Sequence, residues 1–277
     1  MSTLTTHTTA SRDSHSIGLC KFNTTSKAIE VSDGTNWLIY DYNDTTAFEN
    51  RSALTFDGAG DKMTVSSTSD FAFGTSGFTI SFWMKPNGTN NSSGFGVNIL
   101  DMRSAVSQAK PSLWMSSVGS NSILKYYASG AYRAETSSVT INSGTWYHVM
   151  VAGDGSTTRI YLDGNSTAVA SGTDTISYVA AGVTLGSYFG NNYYYNGLID
   201  ELSIYSSDQS SNLSTIYNSG TPDELPTTDL QAWWRMGDGT ENGSGTTIYD
   251  MSTNSHNGTL SGDAAITSIG SGESVYV

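Results

Sequence analysis

Ionic charge is scarce in this chain, and what there is leans one way. Lysine and arginine total 12 against 25 aspartates and glutamates, a net charge of −13, and charged residues are 13% of 277, where an average soluble domain has about 25%. Phosphate backbones and anionic lipid surfaces attract basic faces, so neither nucleic-acid binding nor membrane adsorption is expected. A single cysteine, Cys20, leaves no intramolecular disulfide framework. The four histidines (residues 7, 15, 148 and 256) show no metal-ligand spacing. The seven glutamates (residues 30, 49, 135, 201, 224, 241 and 273) form no Glu-x-Asp-x-Glu run. Such a run would set carboxylates about 5–5.5 Å apart for retaining glycoside cleavage. Asp200 and Glu201, adjacent in a strand, are expected on opposite faces, so no catalytic residues are expected. No apolar run reaches the ~18–20 residues of a membrane span. No basic and apolar leader follows Met1, so a soluble protein made in the cytoplasm is expected.

Uncharged polarity takes the place of ions. Serine, threonine and asparagine total 98 residues and glycine adds 29. Six tryptophans, 16 tyrosines and nine phenylalanines supply core material. With Thr, Val, Ile and Tyr common and straight-chain helix formers few, strand is the default element. Residues 1–16 are polar and aperiodic and predict a flexible arm. Residues 17–44 predict a hairpin module, with Ala28–Val31 turning at Asp33-Gly34 into Trp37–Tyr40, too small to bury its own apolar face.

From residue 45 to 277, short apolar runs alternate with Gly and Asn turns. Strands are predicted at Leu54–Phe56, Met63–Val65, Thr79–Met84, Ile99–Met102, Leu113–Ser116, Ile123–Tyr127, Trp146–Gly153, Arg159–Leu162, Thr184–Tyr188 and Leu198–Tyr205. One short helix is predicted over Asp208–Gly220, with Asp208 or Ser210 as cap. Further strands fall at Leu230–Met236 and Thr247–Asp250. Many strands at this spacing predict an all-β, two-sheet antiparallel jelly-roll sandwich.

Five stretches resemble the laminin-G-like, concanavalin-A-like lectin jelly rolls in order: Ala53–Asp61, Phe78–Met84, Trp146-Tyr147-His148-Val149, Arg159–Gly164 and Gly197–Tyr205. A sixth, Trp233–Gly239 with Tyr249–Leu260, is similar to a stretch that opens such domains but here follows the closing strand. The order implies a circular permutation in which 229–262 completes the sandwich, with a truncated second repeat as the alternative. Gly18, Phe22-Asn23-Thr24, Lys27, Ile29, Val31, Asp33-Gly34 and Trp37 resemble a short motif of bacteriophage tail and fibre proteins. Together the resemblances imply a virion protein (tail fibre, head fibre or capsid decoration), assembled in the host cytoplasm and exposed on the particle. The arm and hairpin would attach it to other virion proteins. A homo-oligomer, a trimer among the options, and host-surface glycans as partners are implied. A bacterial carbohydrate-binding or adhesion module is the alternative, with a glycoside hydrolase or lyase behind it.

The jelly-roll resemblance also implies a structural Ca²⁺ on Asp200, completed by Gly58 and Asp61. Asp250, Ser252 and Asn254, oxygen donors at alternate positions, form a second candidate, with Asx-turn hydrogen bonding as its competing explanation. Glycan contact is expected from the Tyr- and Asn-rich connection carrying Tyr188, Asn191, Asn192, Tyr193 and Tyr194. Three consecutive tyrosines cannot all point inward from a strand, so some must be exposed. Trp114, Tyr126, Tyr127 and Tyr132 form a second aromatic set, in which Trp114 is expected to pack in the core.

Overall fold

The computed structural model describes residues 5–7, 20–23, 28–32, 35, 37–40, 50–88, 96–137, 139–189, 192–238 and 245–269. The chain divides into two compact units, Met1–Ala47 and Phe48–Val277. The first is a four-stranded sheet in the order β1 (Thr5–His7), β2 (Cys20–Asn23), β3 (Ala28–Ser32) and β4 (Trp37–Tyr40). Strand β1 falls within the segment predicted as an arm and pairs in parallel with β2, Thr5 opposite Lys21. Strands β3 and β4 form an antiparallel hairpin with Ile29 opposite Tyr40 and Ser32 opposite Trp37. Its Asp33-Gly34 turn lies outside the described residues.

The second unit is a sandwich of two eight-stranded sheets. The first sheet runs β12 (Ala131–Glu135), β11 (Leu124–Ala128), β9 (Ser112–Met115), β8 (Val97–Asp101), β17 (Ala181–Leu185), β6 (Lys62–Thr68), β21 (Gly258–Ser261), β20 (Thr247–Ile248). The second runs β16 (Ala170–Thr173), β15 (Thr157–Leu162), β14 (Tyr147–Gly153), β7 (Phe78–Pro86), β18 (Asn196–Tyr205), β5 (Ser52–Asp57), β22 (Ala265–Ser268). Strand β19 (Leu230–Trp234) also joins it, on the edge of β18 beyond β5. A small antiparallel ribbon pairs β10 (Gly119–Ser122) with β13 (Val139–Ile141). Every pairing in the unit is antiparallel among the described residues, so the fold is the all-β jelly-roll sandwich that the strand pattern predicts.

Alternation along each strand builds the core. Leu54 and Phe56 of β5, Ile80, Phe82 and Met84 of β7, and Ile199 and Ile204 of β18 face Met63, Leu100, Leu113, Met115 and Leu185 of the other sheet in one buried cluster. Each such side chain contributes about 1.5–3 kcal/mol of burial. Phe73, Phe78, Tyr126 and Tyr178 form an aromatic stack within it, with ring centroids 5.2–6.4 Å apart. The stack carries its own polar closure. The Tyr126 hydroxyl donates to Tyr178 at 2.8 Å, Tyr178 donates to Asp174 at 2.6 Å, and Thr158 donates to the same carboxylate at 2.6 Å. Two sheet edges approach closely at Gly172 of β16, where a side chain would collide with the Arg133 carbonyl of β12.

The C-terminal segment is integral to both sheets. Strand β19 extends β18, β21 pairs with β6, and β22 pairs with β5. Trp234 is wholly buried and its indole donates to the His256 carbonyl at 2.8 Å. His256 Nε2 lies 2.8 Å from Asp70 Oδ2. The helical segment is shorter than the sequence suggests. A 3₁₀ turn at Ser210–Asn212 leads into α1 (Leu213–Tyr217), and Asn218, with φ of 42°, ends it. Asp208 accepts the Ser210 amide at 2.8 Å. Leu213 and Ile216 cover Met150, Ala152, Tyr161 and Tyr205 on the outer face of the second sheet.

Candidate functional site

The outer face of the first sheet carries an aromatic cavity. In β11, Leu124, Tyr126 and Ala128 are buried while Lys125 and Tyr127 point the other way. In β9, Leu113 and Met115 are buried and Trp114 is half-buried on the outer face. Trp114 pairs with Lys125 across these strands and Tyr127 with Ser112, so the two rings are diagonal neighbours on one surface. Trp114 therefore lines a cavity rather than packing in the core, which corrects the sequence-based expectation. Tyr126 is the member of that set that is core.

The connection between β17 and β18 closes over these rings. Tyr188 and Asn192 bond through their backbones, making a tight loop, and Asn98 of β8 donates its amide to the Tyr193 carbonyl at 2.8 Å. Phe189 and Tyr193 both have φ of 51°, a left-handed conformation uncommon for bulky residues and concentrated at ligand-holding loops. The Tyr188 ring lies 3.8 Å from Phe189, 5.0 Å from Trp114 and 5.6 Å from Tyr193. The resulting cavity, about 260 Å³, is lined by Arg103, Val106, Trp114, Tyr127, Tyr132, Tyr188 and Tyr193.

A buried ion pair forms its base. Arg103 Nε donates to Asp101 at 2.8 Å, with the side chains 2% and 0% exposed. Burial pushes the Asp101 carboxyl above the ordinary carboxylate range, and the Arg103 guanidinium partly offsets this. Ser112 Oγ lies within hydrogen-bond distance of three nitrogens, Asn98 Nδ2 at 2.9 Å, Arg103 Nη2 at 2.8 Å and Trp114 Nε1 at 2.9 Å. One hydroxyl thus fixes both the cation and the largest ring of the wall. The guanidinium carbon lies 4.5 Å from the Tyr127 ring centre, 5.3 Å from Tyr188 and 5.6 Å from Phe189.

Two residue groups separate in sequence meet here. Tyr188 and Tyr193 of the expected glycan loop line the cavity with Trp114, Tyr127 and Tyr132 of the second aromatic set. Asn192 is exposed beside them, Tyr194 is half-buried outside the lining, and Asn191 lies outside the described residues. Tyr195 is buried, and Tyr193–Tyr195 precede β18 rather than forming a strand. Sequence reasoning missed Asp101 and Arg103. Their i, i+2 spacing at the end of an apolar strand was the available signal, and many surface pairs share it.

The second sheet holds a different polar centre. Strand β18 bulges against β7, where Asp200 pairs with Trp83 but Ser203 pairs with Ser81, and Glu201 has φ of 49°. The bulge breaks strand alternation. Asp200 and Glu201, expected on opposite faces, instead bring carboxylate oxygens within 4.8 Å of each other and of Asp238. All three are buried. Burial raises the Glu201 pKa, against the opposing pull of Arg235 and the Trp233 hydrogen bond.

The metal candidates can be tested against this geometry. Asp61 sits elsewhere, its two oxygens accepting the amides of Asp57 at 2.9 Å and Asp263 at 2.6 Å. Gly58, with φ of 88°, packs its Cα side against Asn196. The acids that gather around Asp200 are Glu201 and Asp238, not Asp61. Glu201 accepts Trp233 Nε1 at 2.6 Å and Arg235 Nε at 3.2 Å, Asp200 Oδ1 accepts the Glu201 amide, and Asp238 Oδ2 accepts the amides of Arg51 and Ser52. Ca²⁺ takes six to eight oxygens. Here at least four of the six carboxylate oxygens already accept hydrogen bonds and Arg235 supplies a counter-charge, so a Ca²⁺ would have to share those oxygens and displace or face Arg235. Asp250 is engaged in the same way. Its carboxylate accepts the amides of Trp233, Ser252 and His256 and the Ser252 hydroxyl, while Asn254 donates to the Gln231 carbonyl. The cavity beside Glu201, His148 and Ser81 is about 10 Å³, room for about one water.

The fold and its outer face define a jelly-roll domain with a walled aromatic cavity on one sheet. Residues 57–212 match the family described as the concanavalin A-like lectin/glucanases superfamily, and the chain belongs to it. No curated protein matches. Among solved structures, a candidate carbohydrate binding protein from Bacteroides ovatus superposes with a TM-score of 0.55 at 16% identity, over 80% of this chain and 61% of that one. This chain thus spans about three-fifths of that relative. Domain 4 of a family 43 extracellular arabinanase from Geobacillus stearothermophilus, in complex with arabinotriose, gives 0.42 at 20% identity over 60% of this chain and 76% of that one. The enzymatically active domain of tailspike protein 2 of bacteriophage CBA120 gives 0.44 at 14% identity over 62% and 28%.

Proposed function

We propose that this chain is a glycan-binding display module of a bacteriophage particle, acting by binding rather than turnover. The observation that carries the binding reading is the aromatic cavity over the Asp101–Arg103 pair. Ring faces stack on the apolar faces of sugars, and tyrosine hydroxyls can exchange hydrogen bonds with sugar hydroxyls. The hydroxyls of Tyr127, Tyr132 and Tyr188 take part in no hydrogen bond among the described residues. Family membership and the likeness to the Bacteroides protein agree with a carbohydrate ligand. The reading as binding rests on the lining itself. No acid is among the described residues that line the cavity, and Asp101 beneath it is locked onto Arg103.

The virion assignment rests on the Phe22-Asn23-Thr24 to Trp37 motif, which resembles bacteriophage tail and fibre segments. In this reading Met1–Ala47 attaches to other virion proteins or to sister subunits, and the sandwich is displayed toward host-surface glycans. Mass spectrometry of purified particles tests this part, with peptides of the chain expected in stoichiometric amount. A glycan array probed with the full chain tests the binding part, with signal that falls in Trp114→Ala. Array binding by a chain absent from particles would favour a bacterial adhesion module instead.

A further inference from the structure

We infer that the cavity takes one uncharged terminal sugar ring and discriminates against both acidic and amino sugars. This rests on the glycan-binding reading above and specifies its ligand. Size sets the first limit, since about 260 Å³ falls below the ≈ 300–1,000 Å³ of pockets that enclose drug-sized ligands. One ring fills it, and further residues of a longer chain would lie outside its walls.

Charge sets the second limit. The described ring faces already hold the protein's own cations, with Arg103 over Tyr127, Tyr188 and Phe189 and Lys125 Nζ 5.1 Å from the Tyr132 ring centre. A ligand ammonium would meet these like charges at close range. An acid fares no better. Arg103 is committed to Asp101 at 2.8 Å and to Ser112, and Lys125 stands opposite Glu135 across β11 and β12. Arg103 is ion-paired and Lys125 has Glu135 as its cross-strand neighbour, so the two cations and two carboxylates around the cavity sum to zero, and the whole chain carries −13, which repels anions at a distance. A sugar carboxylate or sulfate would enter surroundings with no net positive charge, at a desolvation cost that no local excess of cations offsets. What remains available carries no net charge: the Trp114 ring, the tyrosine ring surface not taken by Arg103 and Lys125, three tyrosine hydroxyls, and Arg103 Nη1, a donor that bonds to none of the described residues and whose charge Asp101 offsets. That set suits a ring with one apolar face and several hydroxyls.

An array of neutral, carboxylated, sulfated and amino-bearing terminal glycans, probed with the full chain at low and high salt, tests this. Neutral termini should bind about tenfold or more tighter than charged analogues of the same ring, with little change on raising salt. The free monosaccharide should compete. Tyr132→Ala, at an exposed rim position (47% exposed), should weaken that binding without shifting the melting temperature. Equal or tighter binding of acidic or amino termini, or binding only to internal chain segments, overturns this inference and leaves glycan binding standing. Neutral binding untouched by both Tyr132→Ala and Trp114→Ala places the ligand elsewhere and overturns it too. No binding to any array member overturns the inference and the glycan reading together.

Discussion

The two sheets each bury an arginine–carboxylate pair, and the pairs do different things. Arg103–Asp101 on the first sheet has side chains 2% and 0% exposed, and Arg235–Glu201 on the second has 7% and 4%. By burial and contact chemistry they are near equivalents. Their surroundings are not. The first underlies an aromatic cavity of about 260 Å³, and the second adjoins about 10 Å³. Arg235–Glu201 lies where β18 and β19 join, and Asp238 beside it holds the start of β5 through the amides of Arg51 and Ser52. It ties the C-terminal segment into the sandwich. A buried ion pair is therefore not a site in itself, and the space and unengaged donors around it decide its use.

The largest effect should come from breaking the closed pair. Arg235→Met leaves Glu201 buried without its cation and should cost about 3–5 kcal/mol in denaturant unfolding, while folded protein keeps its glycan binding. Arg103→Met should cost less, because Asp101 can recover solvent from the adjoining cavity, but should abolish binding. If both variants lose stability equally and bind equally, the comparison fails.

Titration separates the two sheets further. His148 is buried on β14 with Nε2 2.8 Å from Ser81 Oγ, and burial lowers its pKa to about 3. Its folded pKa is depressed, so the unfolded chain takes up a proton first as pH falls below about 6.5. Stability from this group is lost between there and pH about 3, by up to a few kcal/mol. Glu201 has the opposite sign, with a folded pKa raised to about 7. Its contribution is full below about pH 4.5 and is lost as pH rises through 7. The two oppose each other between pH about 4.5 and 6.5, so the wild-type profile there should be shallow. Glu201→Gln should expose the acid loss due to His148, and His148→Gln should expose a decline toward neutral pH. Parallel profiles for the two variants would remove both groups from the account.

Smaller effects test the first sheet and the metal reading. Tyr132→Ala should change stability by no more than about 0.5 kcal/mol, since the residue is about half exposed at the rim. Chelation should leave the melting temperature unchanged. A ligand bound only to the folded state must raise stability, so a drop on adding chelator that Ca²⁺ reverses, and that Asp200→Asn abolishes, would place a structural cation at the Asp200 cluster.

The sandwich was legible because its central strands are short apolar runs set off by Gly and Asn turns. The runs at Thr79–Met84, Trp146–Gly153 and Leu198–Tyr205 all became central strands of the second sheet. Short polar elements such as β10, β16 and β22 carry no such run and exist through pairing alone. The bulge at Glu201 escaped because one left-handed residue reverses the facing of its neighbours without marking the composition. Half of the cavity was readable in Tyr188 and Tyr193. Trp114 was misjudged because a lone tryptophan between Leu113 and Met115 does not reveal which side of a strand faces water. Arg103 was invisible, since its meaning comes from Ser112 and the rings that three other elements bring to it.

The most direct measurement is a structure, or amide and indole NMR mapping, of the full chain with the tightest neutral glycan from the array. The account predicts one sugar ring against Trp114 and Tyr188, above Arg103, with the Asp101–Arg103 pair intact. A ring seated elsewhere, or one that pulls Arg103 off Asp101 to make its own ion pair, would contradict it.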